Sequence, residues 1–252
     1  MTAESVVIRN CQALEDMQAC VQLQKRVWGF SDAELVPLRL FVVAEKIGGQ
    51  VIGAFAGASL VGFALAIPGF REKRPYLHSH MLAVNEEFRN VGLGRRIKIF
   101  QREDALKKGL ELIEWTFDPL EIKNAYLNIE RLGAIVRRYI PNQYGITSSP
   151  LQGGLPTDRL VAEWWLRSKR VATLLDKGTL QANAAPLRTI NVPAEIYQLK
   201  NSASKDRAIE IQNKIRAEFE SAFAEQLAVV GYRRDEAGNG SFLLNRWNPE
   251  HI

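Results

Sequence analysis

The sequence predicts an α/β protein: a mixed central sheet flanked by helices, followed by a C-terminal strand–helix–hairpin unit. Three observations carry this. Segments of period two alternate with segments of helical period along the chain. The stretch AVNEEFRNVGLGRR, Ala83 to Arg96, sets a glycine-bearing turn directly between an apolar strand and a basic amphipathic run. A polar, weakly periodic stretch, Asp176 to Thr189, then precedes a long helix and a closing hairpin.

SVVIRN reads as a short strand. LEDMQACVQLQKRVWG reads as an amphipathic helix, with Leu14, Met17, Val21 and Val27 near helical spacing and Gly29 placed to stop it. PLRLFVVAEKIGG is a second helix, opened by Pro37 and closed by a glycine pair. QVIGAFAGASLVGFALAIPGF folds as two strands about AGAS. The glycines Gly49, Gly53 and Gly57 lack the spacing and the following helix of a phosphate loop. YLHSHMLAVN is a strand, apolar at Leu77, Met81 and Val84, and VGLGRRIKIFQREDALKKG is a helix with Ile97, Phe100, Ala105 and Leu106 inward.

LELIEWTF is the next strand, and EIKNAYLNIERLG the next helix, ended by Gly133. IVRRYIPNQYG and DRLVAEWWLR are strands separated by the turn-rich SSPLQGGLPT. Residues 1–175 are therefore expected to form one domain, 176–189 a linker, and 190–252 an extension packing on the core. In the extension AEIYQLK is expected as a strand. A helix follows from about Lys205 to Leu227, with Ile211, Ile215, Phe219, Phe223 and Leu227 as one core-facing ridge. VVGYRRD and GSFLLNRW close the chain as a hairpin around EAGN.

Composition narrows the function classes. Of 252 residues, 46% are hydrophobic and 24% charged, an ordinary globular balance. No apolar run approaches the ~20 residues needed to span a bilayer, so no membrane is expected. MTAESVVIRNCQ lacks a basic n-region and an apolar h-region, so no secretory signal is expected. Cys11 and Cys20 match no metal spacing and fit a reducing cytoplasm. They read as small buried hydrophobes, with a disulfide or a nucleophile as the alternatives. The three histidines, His78, His80 and His251, form no cluster with zinc spacing, so no metal is expected. The net charge of +5 is modest for a nucleic-acid binder, and basic residues interleave with acidic ones. Arg95, Arg96 and Lys98 are a local exception that would suit a small polyphosphate.

The turn at Arg89–Gly94 can supply that ligand's site. A helix N-terminus leaves N–H groups pointing outward and carries partial positive charge, so an anion sits there readily. Gly92 and Gly94 let the ligand approach the backbone without a Cβ in the way, and Arg89, Arg95 and Arg96 add full charges. The plainer reading is a tight strand-to-helix turn with no ligand.

R-N-V-G-L-G resembles the Q/R-x-x-G-x-G/A signature of the GNAT superfamily of N-acyltransferases. The element order up to about Trp165 is similar to GNAT order, and ERLGA resembles the later Y-x-x-x-G-F/A stretch. The resemblance covers roughly residues 5–168. WTFDPL and TDRL resemble a less characterised branch with a C-terminal extension. The resemblance implies a GNAT-like sheet and an acyl-CoA co-substrate, acetyl-CoA or another. The CoA pyrophosphate would lie on the amides of Arg89, Asn90, Val91, Gly92, Leu93 and Gly94, with Arg95 beside it. Pantetheine would run along Leu82, Ala83 and Val84, and the thioester carbonyl would face the Leu82 N–H.

The resemblance also implies roles for side chains. His78 falls where some members carry a basic glutamate, and His80 is expected on the same face two residues on. Either is a sound general base near neutral pKa; the plainer reading is a polar residue lining a cleft. The tyrosine that commonly protonates the leaving thiolate falls at Ile129, a departure from the pattern. Tyr126 or Tyr139 could substitute, or no acid is needed. Asn124 and Asn128, at i and i+4, share a helix face, and Asn124 would contact pantetheine. Asp118 would bind an ammonium or serve a cap or turn. Arg159 would hold a substrate carboxylate or make a structural salt bridge. The expected activity is direct acyl transfer from acyl-CoA to a primary amine, a small molecule or amino acid. A non-catalytic acyl-CoA-binding protein is the alternative, nucleic-acid engagement is a third class, and a homodimer stays open.

Overall fold

The computed structural model describes residues 5–180, 185–201 and 205–247; His251 lies outside them. Two compact units are present: residues up to Trp115 with Ser148–Leu151, and Thr116–Thr147 with Gln152 onward. The class is α/β, with mixed sheet flanked by helices, as the sequence predicts.

The first unit runs β1 (Val6–Asn10), α1 (Leu14–Trp28), α2 (Leu38–Lys46), β2 (Gln50–Ala56), β3 (Ser59–Arg71), β4 (Arg74–Val84), α3 (Leu93–Lys107) and β5 (Leu112–Phe117), whose last two residues fall in the second unit. Its strands neighbour one another in chain order, antiparallel from β1 to β4 and parallel between β4 and β5. β2 is buried along its whole length because helices cover both faces of the sheet. On one face Met17, Cys20, Leu23 and Phe41 of α1 and α2 pack on Phe63, Leu65, Met81 and Ala83. On the other, Leu93 and Ile97 of α3 pack on Ile52, Ala54, Ala64, Leu82 and Val84. Cys11 and Cys20 are free and buried. Gly29 ends α1 in the left-handed region at φ 64°, its N–H bonded to the Lys25 carbonyl.

β4 departs from simple alternation. Leu65 pairs with Met81 but Ala66 with Ser79, so His80 is an extra residue, a β-bulge. The bulge switches faces: Met81 packs toward α1 and α2, whereas Ser79 bonds Gln101 of α3. At the far end of the β3–β4 hairpin the turn is Glu72–Lys73, both at positive φ, 51° and 65°.

The second unit runs α4 (Ile122–Tyr126), a π-helical turn at Leu127–Arg131, β6 (Ile135–Ile140), β7 (Arg159–Trp165), α5 (Lys169–Lys177), β8 (Arg188–Val192), α6 (Ile196–Leu199), α7 (Lys205–Ala224), β9 (Leu227–Arg234) and β10 (Gly240–Arg246). Its strands lie in the order β7-β6-β9-β10-β8, each pair antiparallel. α7 buries Ala208, Ile211, Ile215, Phe219 and Ala222; the Phe219 ring lies 5.7 Å from Tyr139 and 5.1 Å from Phe242.

Three local expectations fail here. AEIYQLK is not a strand: α6 occupies it, and the strand is RTINV, just before Pro193. Ile190 and Val192 alternate inward there against β10, and Pro193 has no N–H to extend a ladder. SKRVATLLDK, read without a helix, forms α5; Ser168 caps it by accepting from Val171 N–H, and Gly178 ends it at φ 74°. Leu227 belongs to β9 rather than to the helix. A strict i, i+4 ridge drifts around a 3.6-residue helix, so the buried stripe mixes steps of three and four.

Candidate active site

The loop after β4 is shaped by its backbone. Asn85 N–H bonds the Val61 carbonyl, a short 3-10 turn spans Glu86–Phe88, and Arg89 Nε donates to the Val84 carbonyl at 3.0 Å. Asn90 and Gly92 both take positive φ, 63° and 82°. Gly92 is the N-cap of α3 and offers no side chain to its first N–H groups. A Cβ at Gly92 would meet nothing within 4 Å, so this glycine serves φ and leaves the surface in front of the helix open. Gly94 lies over Val84 and Leu82, where a Cβ would make only ordinary contacts at 3.8 and 3.9 Å. Arg89, Asn90, Val91 and Gly92 are exposed, Gly94 and Arg95 half-buried, and Leu93 is a core residue.

Two cations expected beside the loop are committed elsewhere. Arg96 Nη2 donates to the Val6 carbonyl at 2.8 Å. Lys98 is buried, 2% exposed, on the sheet side of α3. Its Nζ reaches Gln101 Oε1 at 2.7 Å and Ser79 Oγ at 3.1 Å, and lies 3.7 Å from the Trp115 ring centroid. Burial lowers its pKa well below the lysine range. The polar trio Ser79, Lys98 and Gln101 was not anticipated. Its signal was present: positions 98, 101 and 105 share one helical stripe.

β4 and β5 are joined by only a short ladder, Leu77 to Ile113 and His78 to Glu114. β4 continues six residues further to Val84, paired with β3 on its other edge. Its β5-facing edge, including Leu82, Ala83 and Val84, thus lies beyond that ladder. His78 and His80 come together where the ladder ends, their ring centroids 6.1 Å apart. Burial, then His80 and Lys98, lower the His78 pKa to about 4. The His80 ring reaches solvent, yet partial burial still lowers its pKa. Glu114 is 3% exposed and paired with Arg71 of β3. Both imidazoles are therefore neutral near pH 7 and able to accept a proton, His78 the more weakly.

In the second unit Tyr126 is 37% exposed, and Ile129 is fully buried. Asn124 is exposed while Asn128 is 2% exposed, so the pair does not share one environment. The π-helical turn begins between them and shifts the helical phase. Asp118 receives an ammonium from within the chain: Oδ2 accepts from Lys200 Nζ at 2.8 Å, and Oδ1 from Leu120 N–H, which is turn chemistry. Burial opposes the Lys200 charge, yet Asp118 and Glu121 together hold its pKa above the usual range. Asp158, fully buried, accepts two 2.8 Å bonds from Arg216 and one from the Tyr139 hydroxyl, so Arg216 rather than Arg159 is its cation. Tyr139 is thereby held as a structural donor. Arg159 bonds Gln152 Oε1 and the Asp158 carbonyl.

Among the described residues no group of three or more His, Cys, Asp or Glu is placed to hold a metal ion, and no helix is long and apolar enough to cross a membrane.

No protein-family model and no curated protein matches the chain. Solved structures do. yncA of Salmonella typhimurium, a proposed acetyltransferase solved with its cofactor acetyl-CoA, superposes with a TM-score of 0.53 at 17% identity, covering 64% of this chain and 94% of its own. An N-acetyltransferase from Staphylococcus aureus Mu50 gives 0.52 at 15%, covering 64% and 99%. The ribosomal-protein-S18-alanine N-acetyltransferase of Escherichia coli gives 0.50 at 14%, covering 63% and 92%. The chain has the GNAT fold. Nearly the whole of each neighbour is matched, and about a third of this chain lies outside each match.

Proposed function

We propose that this GNAT-fold chain transfers an acyl group from acyl-CoA, acetyl-CoA or a similar thioester, to a primary amine of a small molecule or amino acid. The observation that carries the reading is the open, uncapped N-terminus of α3 beside a strand edge that has left its parallel partner. Loop amides from Asn90 to Gly94, with Arg95 beside them, suit a pyrophosphate, whereas the Arg89 N–H is bonded to the Glu86 carbonyl. The β4 edge beyond the ladder at Leu82–Val84, where the Val84 carbonyl accepts from Arg89, suits an extended amide-bearing arm such as pantetheine, whose amides hydrogen-bond as a strand would. The Leu82 N–H would then face the thioester oxygen, where a preorganised donor lowers the barrier. The amine nitrogen attacks the thioester carbon, the C–S bond breaks as the amide C–N bond forms, and the thiolate leaves.

His80 is the better-placed proton acceptor, because its ring reaches solvent and carries the smaller pKa penalty; His78 shares the position as a weaker base. Tyr126 is the proposed acid and Asn124 the proposed pantetheine contact, both on exposed faces. Residues 1–175 are proposed as the acyl-CoA-binding part, 176–189 as a connection, and 190–252 as its extension.

Calorimetric titration with CoA, acetyl-CoA and succinyl-CoA, followed by an amine screen with the preferred donor, tests the reading. Gly92→Asp is expected to abolish binding by setting a carboxylate against the phosphates. Unchanged affinity in the folded variant would overturn the cradle. Ile129, buried where the usual tyrosine would stand, favours one second reading: a protein that binds acyl-CoA without turnover. Binding with no transfer to any amine would select it.

A further inference from the structure

The β4–β5 ladder holds Leu77 to Ile113 and His78 to Glu114. Continued by one step, it would pair Ser79 with Trp115. Lys98 contacts both of those residues: its Nζ is 3.1 Å from Ser79 Oγ and 3.7 Å from the Trp115 ring centroid. Gln101, one turn further along α3, accepts from the same Nζ at 2.7 Å and from the Ser79 hydroxyl at 3.1 Å. His80, the next residue of β4, is the bulge. A buried lysine thus ties α3 to both strands at the first step where they no longer pair.

We propose that Lys98 is a positioning residue, a wedge anchored through Ser79, Gln101 and Trp115, that fixes where β4 and β5 part. It thereby sets the free β4 edge along which the pantetheine arm and acyl group would lie. The inference rests on the acyl-CoA reading for its ligand but not for its geometry. Burying an amine is costly unless its hydrogen bonds are met, and here two oxygen acceptors and an aromatic face surround it. An apolar side chain would fill this place at lower cost if packing were its only role. Lys98 is buried on the sheet side of α3, past the exposed N-terminal turn that would hold the phosphates, so its removal is expected to leave phosphate binding intact.

The test uses the full chain and two readouts. In Lys98→Met, with length and apolar stem retained, acetyl-CoA affinity is expected to fall about tenfold or more, a difference of about 1.4 kcal/mol. Adenosine 3′-phosphate 5′-diphosphate, which carries the phosphates without the arm, is expected to bind within about twofold of the parent. Without ligand, amide hydrogen exchange at Ser79–Val84 should change as the strands pair further or lose their register, while β2 is unaffected. Lys98→Arg, which keeps donors, should recover part of the affinity. Ser79→Ala keeps the lysine but cuts its bond to β4, and carries the same comparison if Lys98→Met does not fold. Equal acetyl-CoA affinity and unchanged exchange in a folded variant would overturn the wedge. If the parent protein binds neither ligand, the acyl-CoA reading fails. The exchange experiment then still decides the wedge.

Discussion

His78 shows how one residue's environment sets its chemistry. Burial beside His80 and Lys98 lowers its pKa from 6.5 to about 4, so the folded state prefers the neutral ring. Its contribution to stability is complete above pH 6.5 and is lost as pH falls through 4. His78→Gln is expected to make the acid-side loss shallower by up to about 3 kcal/mol. Urea unfolding across pH 7 to 4 reads this, and an unaltered slope would assign the loss to other groups. The histidines were legible as a pair from their spacing, but the depressed pKa was not. It comes from neighbours on α3 and from burial, which only packing supplies.

At the scale of elements, the β3–β4 hairpin closes through Glu72 and Lys73, both in the left-handed region where β-carbons are unwelcome. Such two-residue turns favour Asn-Gly because their twist matches that of the strands. The double variant Glu72→Asn, Lys73→Gly is expected to raise the urea midpoint at constant m, corresponding to a stability gain of about 1–2 kcal/mol. A lower midpoint would show that the native pair makes compensating contacts. The strand, glycine turn and helix at Ala83–Arg96 were legible because each is a local pattern: apolar alternation, a positive φ suited to glycine, an amphipathic run. α5 is equally legible, with serine and glycine at its two ends. AEIYQLK, expected as a strand, forms α6, and β8 begins inside the expected linker, because five to seven residues of mixed polarity carry too little periodicity to decide between strand and helix.

At the scale of the whole molecule, the two aspartates of WTFDPL and TDRL share a task. Asp118 takes the ammonium of Lys200, and Asp158 the guanidinium of Arg216, so both bind the C-terminal segment within the second unit. β9 pairs with β6 in the same unit. Lys200→Met would leave Asp118 without its cation in a site where lysine is 3% exposed, a loss of about 3–5 kcal/mol in denaturant unfolding. A chain ended at Leu187 would lose both cations and bare an edge of β6, and is expected to aggregate rather than fold. A soluble, cooperative truncated form would show that residues before 188 suffice.

Local chemistry in the sequence determined the class, most of the elements and the loop with its glycine-capped helix, because caps, turns and periodicity act over a few neighbouring residues. Tertiary structure alone decided the bulge at His80, the burial of Lys98 and the partners of Asp118 and Asp158. Strand register and the burial of a charge depend on partners from 19 to 82 residues away, and no local pattern encodes where those partners will stand.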